Sequence, residues 1–199
     1  MTHPFPVYVL RQSGRLRLVE TGAVALDWPA RLGIGLTLAK IPLTVFLVFL
    51  IFSHALQALN VTVCLTVLLD IADGEIFNRS AHAGNRFLRE SRRIWDGTLD
   101  RMVIWTTLTF AVLVLGFPLV LFSILMLREF AVCAVTSYPY FKSGFVHAPN
   151  LPSKLGAVLI GAQLVLFTVL GRVPLLSTFL CIALSIVGLW LYVTKPERI

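Results

Sequence analysis

The sequence predicts an all-α membrane protein of about six transmembrane helices with an N-terminal interfacial segment, and three observations lead there. Of its 199 residues 57% are hydrophobic and 14% charged, and the mean hydropathy is +0.86, which excludes an ordinary water-soluble domain of this size. About six runs approach the roughly 20 apolar residues that a helix needs to cross a bilayer. The runs are continuous where barrel strands would alternate in polarity, and a helix satisfies its own backbone in lipid.

Residues 1–31 are expected to form a cytoplasmic juxtamembrane segment and residues 32–199 a six-helix membrane domain. The first 30 residues lack the apolar core of a secretory signal, so they are expected to remain in the mature chain. Val7, Val9, Leu10, Leu16, Leu18 and Val19 are mixed with Arg11, Arg15 and Arg17, predicting a short interfacial helix that ends near Trp28 and Pro29. Spans are then expected near 34–56, 58–77, 95–116, 118–140, 154–171 and 174–194. The Phe-rich "VFLVFLIF" of the first reads as lipid contact.

The basic residues orient these spans. Arg11, Arg15, Arg17 and Arg31 precede the first, Arg79, Arg86, Arg89, Arg92 and Arg93 lie between the second and third, Lys142 and Lys154 between the fourth and fifth, and Lys195 and Arg198 follow the sixth. The opposite loops hold only Arg172. By the positive-inside rule both termini face the cytoplasm. The net charge of +7 then follows from topology and contact with anionic headgroups, and with no basic tract interleaved with aromatics no nucleic-acid partner is expected. Cys64, Cys133 and Cys181 each fall in an apolar run without disulfide or zinc spacing and read as buried small hydrophobes. His3, His54, His82 and His147 pair with no second ligand at metal spacing. No Ser or Thr stands in a hydrolase-triad arrangement.

Against this apolar background, residues 68–102 hold six of the ten acidic residues. Glu75 and Glu90 are expected to pair with the loop arginines. On a helix, residues three or four apart share a face, so Asp70 and Asp73 form one pair and Asp96 and Asp100 another, at the cytoplasmic ends of two consecutive spans. If those spans pack antiparallel, four carboxylates converge. Such a cluster repels itself unless cations lie within it, and ionisable groups at membrane depth point to function. Hard oxygen ligands suit Mg²⁺ or Mn²⁺, and two such ions would grip a pyrophosphate while one carboxylate serves as base. Gly74, directly after Asp73, either admits a phosphate or ribose to the helix backbone or serves close helix packing.

These residues resemble the CDP-alcohol phosphotransferase signature, D-x-x-D-G-x-x-A-R, eight residues, G-x-x-x-D-x-x-x-D. Asp70, Asp73 and Gly74 match the first block, and Asp96 and Asp100 the last two acids. "LTLAKIPL", with Thr37, Lys40 and Pro42, is similar to the family's T-x-x-R-x-P with Lys for Arg. "LREF", with Arg128 and Glu129, is similar to the Arg-Glu of the phosphatidylglycerophosphate and phosphatidylinositol phosphate synthase branch. The resemblance implies transfer of a phosphatidyl group from a CDP-linked donor, usually CDP-diacylglycerol, to an alcohol acceptor with release of CMP, in a homodimer. It implies two divalent cations on Asp70, Asp73, Asp96 and Asp100, with Asp100 a ligand or the catalytic base. It also implies nucleotide contacts from Gly74, Asn78, Arg79, Thr37 and Arg92, and acceptor contacts from Lys40, Arg128 and Lys154.

The chain departs from the family in three places. Phe77-Asn78 stands for Ala-Arg, with Arg79 one position late and so about 100° around a helix. The interval to the second block is lengthened, with Arg92 at the second glycine position, where it either fills the nucleotide pocket or stacks on the base; Gly84 is the nearby alternative glycine. "LPSKLGAVL" keeps Ser153 and Gly156 of the family's S-x-x-G-K-x-K-T but not its lysines, leaving Lys154 nearby. Two other readings follow from the same residues: a family member that has lost ordinary catalysis, and a cation transporter whose carboxylates line a path. Transporter sites usually lie near the bilayer midplane, whereas these aspartates fall near span ends.

Overall fold

A computed structural model describes residues 7–10, 16–19, 26–81, 86–143 and 151–194. His3, His82, Gly84, His147, Lys195 and Arg198 lie outside them, as do the side chains of Glu90 and Lys142. Six helices form the body: α1 Trp28–Phe52, α2 Leu56–Asn78, α3 Arg86–Phe110, α4 Leu119–Ser143, α5 Leu151–Leu170 and α6 Leu175–Thr194. All six include a stretch long and apolar enough to cross a membrane. A π-helical turn, Ala111–Leu115, extends α3.

The N-terminal segment differs from expectation. In place of an interfacial helix, Val7–Leu10 (β1) and Leu16–Val19 (β2) pair antiparallel, with Val7 opposite Val19 and Leu10 opposite Leu16. Val7, Tyr8, Val9 and Val19 are residue types that favour extended chain. A lone two-stranded ribbon is marginal in water; here β1 lies against α3.

α1 begins at Trp28, ahead of the expected residue 34, because its start is set by a cap and not by hydropathy. Asp27 precedes the helix and its Oδ1 accepts from the Ala30 N–H at 3.2 Å, with proline in the first turn. Oδ2 of the same carboxylate accepts from the Ala81 N–H at 2.7 Å, which ties the start of α1 to the residues just past α2. α3 likewise begins before its expected residue 95, since Arg, Leu and Glu continue a helix as well as apolar residues do.

α1 packs along both α2 and α3, α5 along α2 and α6, and α4 against α6. Leu47, Leu50 and Ile51 of α1 join Leu59 and Val63 of α2, Val103 and Leu108 of α3, Leu121 and Leu125 of α4 and Ile160 and Leu164 of α5 in one buried apolar core. A smaller cluster, Ala30, Ile34 and Phe77, lies toward the opposite end of α1. Between the two, α1 buries Thr37, Lys40 and Thr44. Val45, Phe46, Phe49 and Phe52 turn outward, as lipid contact requires. Cys181 is buried, but Cys64 is exposed on α2 and Cys133 half-buried, so only one thiol has the buried setting expected of all three. Exposure to lipid costs an apolar side chain little, which is why an apolar run does not reveal burial in a membrane protein.

Candidate functional site

The polar layer of α1 is where the two aspartate pairs converge. Thr37 and Lys40 lie one turn apart, Asp70 and Asp73 one turn apart on α2, and Asp96 and Asp100 one turn apart on α3. Lys40 Nζ lies 2.6 Å from Asp70 Oδ1 and 2.6 Å from Asp96 Oδ1, and it also donates to Asp100 Oδ1. Asp73 Oδ2 is 3.6 Å from the same ammonium. Lys40 is buried, so the aspartates and not water solvate its charge.

The four carboxylates differ in access. Asp73 is 1% exposed, whereas Asp70, Asp96 and Asp100 are 46%, 24% and 33% exposed. Asp73 Oδ2 accepts from Thr37 Oγ1 at 2.8 Å and its Oδ1 from Arg92 Nη2 at 2.8 Å. The Arg92 guanidinium also stacks over the Phe77 ring, 4.9 Å from its centroid, a geometry that suits a planar cation. Asp70, Asp96 and Asp100 each offer one oxygen within 4.8 Å of the others, close enough to share a cation.

Close approach of α1 and α2 underlies this geometry. A Cβ on Gly33 would stand 3.0 Å from Phe77 Cβ and 3.2 Å from the Asp73 carbonyl oxygen, so a glycine here lets the two backbones meet beside Asp73. Gly33 and the pairing of Lys40 with the aspartates were not read from the sequence. The signal was present: Ala30, Gly33, Thr37, Lys40 and Thr44 recur at helical spacing through an apolar span.

Of the residues implied as nucleotide contacts, Thr37 and Arg92 lie in the cluster through Asp73. Gly74 has open space where a Cβ would project, so close helix packing does not account for it. Asn78 is exposed at the end of α2. Arg79, also exposed, follows it and meets Glu75 at 3.1 Å, the acid–arginine pairing expected for that glutamate. Lys154 is exposed in the first turn of α5.

Arg128 belongs to a second buried polar group, on α4, α5 and α6. Its Nη1 meets Glu129 Oε1, its Nη2 donates to the Ser153 carbonyl at 2.8 Å, and its Nε donates to Ser185 Oγ at 3.2 Å. A Cβ on Gly156 would stand 2.8 Å from Arg128 Nη2, which explains the small residue beside the guanidinium. The donors of Lys40 and several of Arg128, both implied as acceptor contacts, are therefore engaged within the protein. An acceptor would reach them only by displacing those partners.

No family model, curated protein or solved structure matches the chain. Fold and site together define a six-helix membrane protein with a carboxylate–lysine centre formed by α1, α2 and α3.

Proposed function

We propose that the protein is a membrane-embedded phosphotransferase of the CDP-alcohol phosphotransferase family, moving a substituted phosphate from a CDP-linked donor, CDP-diacylglycerol in the first instance, to an alcohol acceptor with release of CMP. One observation carries the proposal: Asp70, Asp96 and Asp100 converge from two helices within 4.8 Å of one another and remain partly exposed. Supporting it are the signature spacing D-x-x-D-G and D-x-x-x-D and the open face at Gly74.

In this reading Asp70, Asp96 and Asp100 hold divalent metal, Mg²⁺ or Mn²⁺, and the metal supplies charge neutralisation at the phosphate. Asp100, partly exposed, takes the proton of the acceptor hydroxyl. Gly74 leaves room for the donor beside α2; Asn78 lies one turn further along that helix and Arg79 directly past its end. Lys154 is the accessible cation for a phosphorylated acceptor. The positive-inside count supports a cytoplasmic side for this centre and for both termini, and the family resemblance adds a homodimer to the proposal.

A second reading is a member that keeps the fold without ordinary catalysis. The saturated contacts of Lys40 inside the carboxylate cluster favour it. The test is CMP release by detergent-purified protein given CDP-diacylglycerol, a panel of alcohol acceptors and Mg²⁺ or Mn²⁺, beside Asp100→Asn. Release that Asp100→Asn abolishes supports the transferase. No release with any acceptor or with smaller CDP-alcohols overturns it in favour of the second reading.

A further inference from the structure

Two protein cations with described contacts, Lys40 and Arg92, meet the four aspartates of the centre. Lys40 Nζ has three N–H donors, and it meets three carboxylate oxygens, those of Asp70, Asp96 and Asp100. Arg92 holds Asp73 from the other side at 2.8 Å. With all four carboxylates ionised, four negative charges set against these two positive ones leave a formal two, the complement of one divalent ion and not of two.

The geometry agrees with the charge. Both oxygens of Asp73 are taken, one by Arg92 and one by Thr37, and the side chain is almost fully buried. It is withdrawn from any shared metal. Asp70, Asp96 and Asp100 retain exposure and mutual reach, so the residues present fit one cation and do not fit the pair that the family resemblance implies.

We infer that the Lys40 ammonium is a built-in cation that takes the place of one of the two metals, so that the protein loads a single divalent ion on Asp70, Asp96 and Asp100. The inference rests on the transferase reading for the presence of metal at all. The identity of residue 40 matters to it. An ammonium is a compact point charge that three carboxylates can surround, whereas the arginine of the family pattern has a planar fork suited to bidentate pairing. Buried within α1 beside Pro42, Lys40 reaches the three carboxylates from the protein interior.

The test is a count of bound ions. Full-length protein in detergent, stripped with chelator, is titrated with Mn²⁺, and free Mn²⁺ is read by electron paramagnetic resonance for wild type and Lys40→Met. The expected result is one ion per chain in wild type and two in the variant, with no nucleotide present. Two ions in wild type overturn the inference while leaving the transferase reading intact. One ion in both proteins also overturns it, because Lys40 then occupies no metal position. No ion in either removes the metal-dependent reading together with the inference. Should Lys40→Met fail to fold, the wild-type count with Lys40→Gln as the second variant decides on the same terms.

Discussion

Two buried cations tie different sets of helices, Lys40 joining α1 to α2 and α3 and Arg128 joining α4 to α5 and α6, and their surroundings differ in one decisive respect. Arg128 meets a single carboxylate, Glu129, and its other contacts are the Ser153 carbonyl and the Ser185 hydroxyl; the ion pair is buried on both sides. Lys40 meets three carboxylates in direct contact and a fourth at 3.6 Å, three of them partly open to the outside. The first group is balanced and closed, as a structural tie among α4, α5 and α6 must be where unpaired charge is costly. The second carries surplus negative charge and access. Such a surplus is relieved by a bound cation or by protonation, and on the proposed reading a cation is what distinguishes this centre from the structural pair.

The sharpest way to break the comparison is Asp100→Asn. The surplus centre should lose CMP release by about 10²–10⁴-fold, the range for removal of a general base, with little change in melting temperature in detergent. A fall in stability with activity retained would make Asp100 a structural partner of Lys40 alone. On the balanced side, Glu129→Ala should do the reverse, leaving Arg128 buried without its carboxylate at a cost of about 3–5 kcal/mol, read as a lowered melting temperature. A variant as stable as wild type would remove the contrast.

Smaller changes sharpen it. Gly33→Ala should push α1 from α2 at Phe77 and the Asp73 backbone and cost about 1–3 kcal/mol, with a fall in Mn²⁺ affinity because Lys40 and the ligand Asp70 lie on the two displaced helices. Unchanged affinity would show that the centre tolerates a looser α1–α2 contact. Glu75→Gln should change stability by less than about 0.5 kcal/mol, since its pair with Arg79 is exposed on both sides; a larger loss of stability would mean that Glu75 does more than pair with Arg79 at the surface.

The sequence by itself determined the class of protein, the number of spans and the pairing of two aspartates on one face of each of two consecutive helices; Asp70 and Asp73 fall toward the end of α2 as expected, but the early start of α3 at Arg86 puts Asp96 and Asp100 well inside that helix. Run length and helical spacing are local properties, and lipid leaves a long apolar run one stable backbone form. It was less informative at helix starts, where Asp27 and Pro29 set the beginning of α1 and polar helix formers carried α3 ahead of its apolar run. It misled at the N-terminus, where the same Val and Leu positions serve a strand pair as readily as an amphipathic helix. Only the tertiary structure decided that Lys40 enters the carboxylate cluster from α1, that Asp73 is withdrawn by Thr37 and Arg92, and that Arg128 closes on Glu129, Ser153 and Ser185. Apart from the neighbouring Arg128 and Glu129, those choices join residues 19 to 60 positions apart, and partners at such separations depend on which helix faces pack together. Helix periodicity fixes the face on which a residue lies; packing fixes which face it meets.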